Sequence, residues 1–430
     1  MILSAKQPIS LPRMRSNIIS QLGWIVFILW FPLEIGSLMP LVEMAVFNGH
    51  VPVPTATLKF LLIPLLLVAL VLRRSVRMPN DIFFAWCALI GYLVFDAANL
   101  FIRNGLPLEY ILFSYNASYI ILILLPLFFA VRETISQTTV TWWVIFFSAI
   151  SIFLSIAQHY LNSPILPTTS VDGYYAVMVW GFYGAVRGFG LFTISYLNGF
   201  FIILGMSIFI VCTARARSVR KIWWFLLVWI SLVAVYTTLT RAVYFEAMMS
   251  LITIYFLMKE RPPRKLASIL PVVYSIAGFS IAYLTPFIEK FLDLHGSLTS
   301  DQSLMMRYEE WQKYGNIMYR HFDTLMFGTG LIQNPRFDFT RSITIDNSYL
   351  AAIFQNGVIG LMFWMVILWL LWIYALRAAI AYKTPLTIGI ASAFSIWPFA
   401  AVFNNILSTF VFIGPIMILI MSRAGAPYKQ

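Results

Sequence analysis

Charge is scarce in this chain. Only 11% of its 430 residues are Asp, Glu, Lys or Arg, against 60% hydrophobic residues, and a soluble surface needs roughly a quarter of its residues charged. That deficit excludes an ordinary globular protein in water. Acidic residues are scarcest, 17 against 29 basic, and no DxD-like pair stands outside the apolar runs, so no carboxylate metal site is expected. The two cysteines, Cys87 and Cys212, fall inside or at the end of apolar runs, which excludes an external disulfide between them. The four histidines, His50, His159, His295 and His321, lack the i,i+3 or i,i+4 pairing of a helix-borne metal site. No repeat relates residues 1–215 to 216–430, although transporters of this size usually carry one. A cleavable signal peptide is also missing: the first apolar run is too long and has no small-residue cleavage site, so it reads as an uncleaved anchor.

What is present is long apolar sequence. About twenty apolar residues in a helix cross a hydrocarbon core of roughly 30 Å, and runs near that length fall at about 18–40, 56–72, 82–101, 110–131, 142–160, 190–212, 222–239, 242–258, 266–286, 347–376, 385–402 and 405–422. They are continuously apolar, whereas barrel strands alternate. The expectation is an all-α polytopic membrane protein, residues 1–430 forming a single membrane domain of about twelve spans. The 17% aromatic content, with pairs such as Trp142-Trp143 and Trp223-Trp224 at span ends, fits interfacial belts.

Alternate connections sort the basic residues. With the N-terminus inside, one side keeps ten: Lys59, Arg103, Arg187, Arg241, Lys290, Arg307, Lys313, Arg320, Arg336 and Arg341. The others collect in short loops on the opposite side, which the positive-inside rule makes cytoplasmic, with both termini. The +12 net charge therefore reports topology and gives no reason to expect a nucleic-acid partner.

Chemistry outside the bilayer concentrates in residues 287–346, a polar segment expected to form a large, partly helical external loop between spans nine and ten. Seven of the ten outside cations are arginine, whose planar fork suits bidentate capture of phosphate or carboxylate. Several can instead pair with Glu289, Asp293, Asp301, Glu309, Glu310, Asp323 and Asp338 in the same segment. Arg187 and Arg241 are sharper candidates. Each stands at the mouth of a span, where a guanidinium is costly unless it faces water or a partner; Glu246, five residues after Arg241, is one such partner. Glu34, Asp96 and Glu246 fall within spans and are expected to face the bundle interior.

The order Arg187-Gly-Phe-Gly190 with Asn198 downstream, Thr240-Arg241-Ala242, Arg307 with Trp311, Gly328-Thr-Gly330, and Asp346-Asn347 followed by nine residues and Gly357-x2-Gly360 resembles the O-antigen ligase and polymerase superfamily. The resemblance covers residues 180 to 375. It implies a glycosyltransferase C-like (GT-C) architecture and transfer between undecaprenyl-pyrophosphate-linked oligosaccharides at the external face of the bacterial inner membrane. It assigns pyrophosphate binding to Arg187, Arg241 and Arg307, and places Arg307 and Asp346 in the catalytic site. Asn347 and Tyr349, with Arg336 and Arg341, are candidates for sugar contacts. In the family the position of Asp346 is a histidine tied to the lipid A-core acceptor of ligases, so the departure points to a polymerase.

Such a polymerase needs no cofactor and no metal, because guanidinium groups answer the charge growing on the leaving pyrophosphate. Its partners would be lipid-linked donor and acceptor, membrane lipids, a flippase and a chain-length regulator. Asp346 suits a base for a sugar hydroxyl, and it equally suits an ordinary helix N-cap. Gly357 and Gly360 suit close helix packing. The rival readings are a ligase differing only in acceptor, a twelve-span secondary transporter, and a peptidoglycan-type polymerase of the shape, elongation, division and sporulation group.

Overall fold

A computed structural model describes residues 11–34, 61–73, 76–109, 111–112, 122–163, 165, 186–192, 195–217, 219–291, 309, 311–317, 320–329, 347–403 and 414–423. The helices are α1 (Leu11–Glu34), α2 (Leu62–Leu72), α3 (Asn80–Asn104), α4 (Leu125–Phe128), α5 (Gln137–Tyr160), α6 (Ser195–Arg215), α7 (Val219–Thr237), α8 (Arg241–Met258), α9 (Arg264–Phe291), α10 (Phe322–Phe327), α11 (Ser348–Tyr382), α12 (Pro385–Ser395), α13 (Trp397–Phe403) and α14 (Gly414–Met421). The described β-structure is two residues paired with two, Ile135–Ser136 alongside Ser422–Arg423. The chain is an all-α polytopic membrane protein.

Among the described residues eight helices are long and apolar enough to cross a membrane, with two shorter apolar helices at Ser16–Phe31 and Leu62–Leu72. The twelve runs of the sequence are thus recovered in part. The described residues of the run at 110–131 include the four-residue α4 and a 3-10 turn at Phe129–Val131, with Pro126 in the first turn, where proline's missing N–H costs nothing. Within the run at 405–422 the described residues form α14.

The centre of the bundle is the pair α12–α13, whose membrane window is 100% buried, flanked by α6 at 78%. Close approach there depends on small residues: a methyl group at Gly199 would stand 2.5 Å from Val243, and one at Gly389 2.6 Å from Ile208. Hydroxyls tie the same helices. Ser250 of α8 bonds Ser207 of α6 at 2.8 Å and Ser392 of α12 at 2.6 Å, and Thr253 bonds Ser395 and Tyr274. Such interhelical bonds contribute about 0.6 kcal/mol each in a bilayer.

The basic loops meet at one end of the bundle. Arg73 donates to the carbonyls of Phe129, Ala130 and Arg132, Arg132 to Arg77 O, Arg215 to Lys383 O, and Lys383 Nζ to Lys259 O and Glu260 O. Arg377 pairs with Asp81 at 2.6 Å. Loops that the charge pattern assigns to one face thus touch one another in space.

Candidate functional site

At the opposite end two polar constructions stand out. The first carries Arg187. Residues Val186–Phe192 thread between helices with six of seven buried, and a backbone so placed must find partners. Gln158 of α5 supplies three of them: its Oε1 accepts from the N–H of Phe189 (3.0 Å) and Gly190 (2.8 Å), and its Nε2 donates to Gly190 O. Asn198 of α6 donates to Gly188 O and to Ser155 Oγ, and accepts from Ser151 Oγ at 2.7 Å. Ser151 Oγ also accepts from Leu191 N, and Gly188 N donates to Thr237 O. His159 Nδ1 lies 2.9 Å from Val186 O; a carbonyl only accepts, so that nitrogen carries the proton. The two glycines are required here. Gly190 has φ +54°, and a side chain on Gly188 would run into Ser155 and Thr237, one on Gly190 into Ser151 and Asn198.

The second arginine enters from the α7–α8 turn. Leu239 holds φ +48°, an unusual value for a leucine, and Thr238 and Thr240 bond around it. Arg241 follows as the first residue of α8, exposed, while Arg187 is half-buried. Gly188, next to Arg187, donates to Thr237 O, and Tyr244, one turn after Arg241, donates to the adjacent Tyr236 O, so two arginines far apart in sequence come to the same end of α7. Aromatics border it: Tyr244 stacks on Tyr236 at 6.5 Å and 13° and donates to its carbonyl, and His159 meets Tyr236 edge-on at 6.2 Å. Ser195 Oγ to Thr240 Oγ1, 3.1 Å, ties this turn to α6.

The second construction clamps the polar segment to the membrane domain. Within that segment residues 311–317 and α10 are helical, and Tyr314 packs on Phe354 at 4.8 Å. The backbone after α10 crosses α11 at its kink, where Gly357 adopts φ 66°, ψ −171° and Gly328 φ 76°, ψ −176°. A methyl on Gly357 would strike the Met326–Phe327 backbone, and one on Gly328 the Gln355–Asn356 backbone. Asn99 of α3 donates to Phe327 O (2.6 Å) and Gln355 O. Asn356 donates to Asp96 at 2.5 Å and to Tyr92. Gly360 leaves room for the Asn356 side chain. Arg103 donates to Gly328 O at 2.7 Å. Its ion pair with the exposed Asp323, at 3.6 Å, adds little in water.

Asp96 and Glu246 are buried, 1% and 2% exposed, and Asp96 finds its partners in Gln355 and Asn356. Asn347 is 4% exposed and its Oδ1 accepts from Leu350 N at 3.0 Å. Asn347 is therefore the N-cap of α11, which corrects the reading of Asp346 as that cap. Tyr349, 6% exposed, is hydrogen-bonded to Ser275 and donates to Pro398 O, tying α11 to α9 and α13. Arg307, Arg336, Arg341, Asp346 and the side chain of Glu34 lie outside the described residues. Among the described residues no group of three His, Cys, Asp or Glu is placed to hold a metal ion.

Sequence reasoning named the arginines and glycines but missed Gln158, Asn99 and Asn356, which hold them. Amides inside apolar runs are the signal that would have found them, since a polar side chain in a span needs a partner. Replacing Gln158 with leucine leaves two buried N–H groups without an acceptor, at about 1–3 kcal/mol each. The expected result is a marked drop in the thermal midpoint of the detergent-solubilised protein, with Gln158→Glu, which keeps the acceptor, falling between.

No curated protein matches the chain. Residues 226–365 match the family model described as O-antigen ligase, a stretch running from α7 into α11 that contains Arg241, Gly328 and Gly357 but not Arg187. That match supports membership of the O-antigen ligase and polymerase superfamily.

Proposed function

We propose that the protein polymerises surface polysaccharide, joining undecaprenyl-pyrophosphate-linked oligosaccharide units at the external face of the bacterial inner membrane. The observation that carries this reading is the convergence of the Arg187 loop and the Arg241 turn on the last turn of α7, beside an aromatic patch, at the end of the bundle away from the basic loops. Two guanidiniums suit a pyrophosphate, and the aromatic faces of Tyr236 and Tyr244 suit the apolar faces of sugars. The acceptor hydroxyl oxygen attacks the anomeric carbon of the donor, and the bond from that carbon to the pyrophosphate oxygen breaks. The leaving lipid pyrophosphate keeps the electron pair, and the arginines stabilise it more than they stabilise the intact donor. The hydroxyl proton passes to Asp346. The reading asks for no metal or other cofactor, puts both termini in the cytoplasm, and makes residues 287–346 an external, GT-C-like catalytic loop in which Arg307 joins the clamp and Arg336 and Arg341 contact sugar. A flippase would supply the donor, and a chain-length regulator would act on the product.

A ligase is the second reading, favoured by the description of the matching family. Deleting the gene in its host and resolving the surface glycans on a gel separates the two. Loss of the ladder with a single unit still capped on its carrier or core supports the polymerase. Bare core with long polymer left on the carrier supports the ligase, and an unchanged profile overturns both. Because Asn347 provides the cap, Asp346→Asn is expected to leave the thermal midpoint unchanged while lowering polymer synthesis about 10²–10⁴-fold, the usual contribution of a general base. A variant with normal synthesis removes Asp346 from the mechanism.

A further inference from the structure

A groove of about 580 Å³ opens at the basic end, between the last turn of α6 and the first of α7. Arg215, Arg217 and Arg220 line it with Cys212, Trp224 and Pro385, and none of its lining residues is acidic. Arg217 and Arg220 are exposed, and the ion pairs among the described residues involve other arginines. Arg215 is already anchored by donating to Lys383 O, so one wall of the groove is ordered before any ligand arrives, which lowers the entropy cost of binding.

Positive charge in a loop on this face is what membrane topology alone requires. Two features go beyond it. The first is shape, because three guanidinium groups line one concavity and the N-terminal turn of α7, a site that already favours anions, forms part of its rim. The second is what adjoins the groove on the lipid side. Trp224 packs on Phe209 at 6.0 Å and on Trp142 of α5 at 6.1 Å. Trp142 begins a row with Phe146 and Phe153, spaced four and seven residues apart on one helical face, and these three side chains are 56%, 58% and 54% exposed. An anion cradle joined to an exposed apolar track matches an amphiphile: the phosphate sits among the arginines and the acyl chains lie along α5. A free phosphate satisfies only the first half of that surface.

We infer that this groove binds the phosphodiester headgroup of an anionic membrane phospholipid. The site is separate from the arginine patch at the other end of the bundle and stands whether or not the polymerase reading does.

The test uses the full-length protein, delipidated in detergent and titrated with phosphatidylglycerol or phosphatidylcholine while bound lipid is counted by native mass spectrometry. One phosphatidylglycerol is expected to be retained in preference to phosphatidylcholine. The double variant Arg217→Ala/Arg220→Ala is expected to hold it about 30-fold more weakly, since each cation near a membrane surface contributes about a factor of five. Arg261→Ala/Lys265→Ala, which removes the same charge from the neighbouring α8–α9 loop and the first turn of α9, should change binding little. Trp142→Ala should weaken retention while keeping every arginine. Equal loss in both double variants reduces the effect to diffuse surface charge and overturns the site, as does undiminished retention in the groove variant. Competition by inorganic phosphate with no effect of Trp142→Ala would make the ligand a free anion and overturn the lipid assignment.

Discussion

Alanine at Arg187 or at Arg241 is expected to lower polymer synthesis about 10²–10³-fold, the loss that follows removal of one preorganised donor aimed at developing charge. Protein levels in the membrane should stay normal. Arg241 is exposed at the start of α8, and Arg187 belongs to a loop whose backbone is held by Gln158, Asn198 and Thr237. Truncating either guanidinium therefore removes charge without removing the frame. Lysine should restore little, because a point charge does not reproduce the two-pronged geometry of the fork. The double variant should be no worse than the poorer single one if the two groups hold the same pyrophosphate, since residues acting as a unit are strongly non-additive. The readout is the length distribution of the glycan ladder together with a membrane immunoblot. Normal ladders from both single variants would remove the clamp from the mechanism.

The second large effect is expected at the crossing of Gly328 and Gly357. Gly357→Ala places a side chain on a residue at φ 66°, ψ −171°, a region populated almost only by glycine, at about 1–3 kcal/mol of backbone strain. The added methyl would also meet the Met326–Phe327 backbone, which cannot rotate aside as a side chain can. The contact must open, and with it go the bonds from Asn99 to Phe327 O and from Arg103 to Gly328 O. Loss of about 3 kcal/mol or more is the expected cost. Gly328→Ala should reproduce it, because the approach is reciprocal. Limited proteolysis reads the outcome: the polar segment should be cut much faster in either variant while the spans survive. Activity should fall with it, since Arg307 and Asp346 lie in the segment that this crossing anchors at α10 and α11.

The membrane class, the helical fold and the side that gathers positive charge were legible in the chain because each rests on local composition. Hydrophobic length needs no partner to be read, and neither does the count of lysine and arginine in short loops. The arginine motifs and the glycine pair were legible as motifs for the same reason, although Gly357 makes room for the Met326–Phe327 backbone and Gly360 for Asn356 of its own helix. For Asp346 the sequence left two roles open, base or cap of α11, and the backbone angles and side-chain bond of Asn347 give the cap to that residue.

Eight of the expected spans are present among the described residues. Proline and turn residues at Leu124–Pro126 and around Ile396–Pro398 break apolar runs that composition alone presents as continuous. The partners of the buried polar groups were not legible at all. Ser155 meets Thr237 across 82 positions and Asn356 meets Tyr92 across 264, separations that leave no periodic trace along a chain.

By itself, then, the sequence determined a basic, all-α membrane protein with arginines at span mouths, because transfer free energies act residue by residue. Only the tertiary structure decided that the segments carrying Arg187 and Arg241 meet at one end of α7, that Gln158 and Asn198 hold the first of them, and that two glycines lock the polar segment onto α11. The reason is physical: unsatisfied polar groups in a bilayer must find one another wherever the packing of helices brings them together, and that packing is a property of the bundle rather than of any one span.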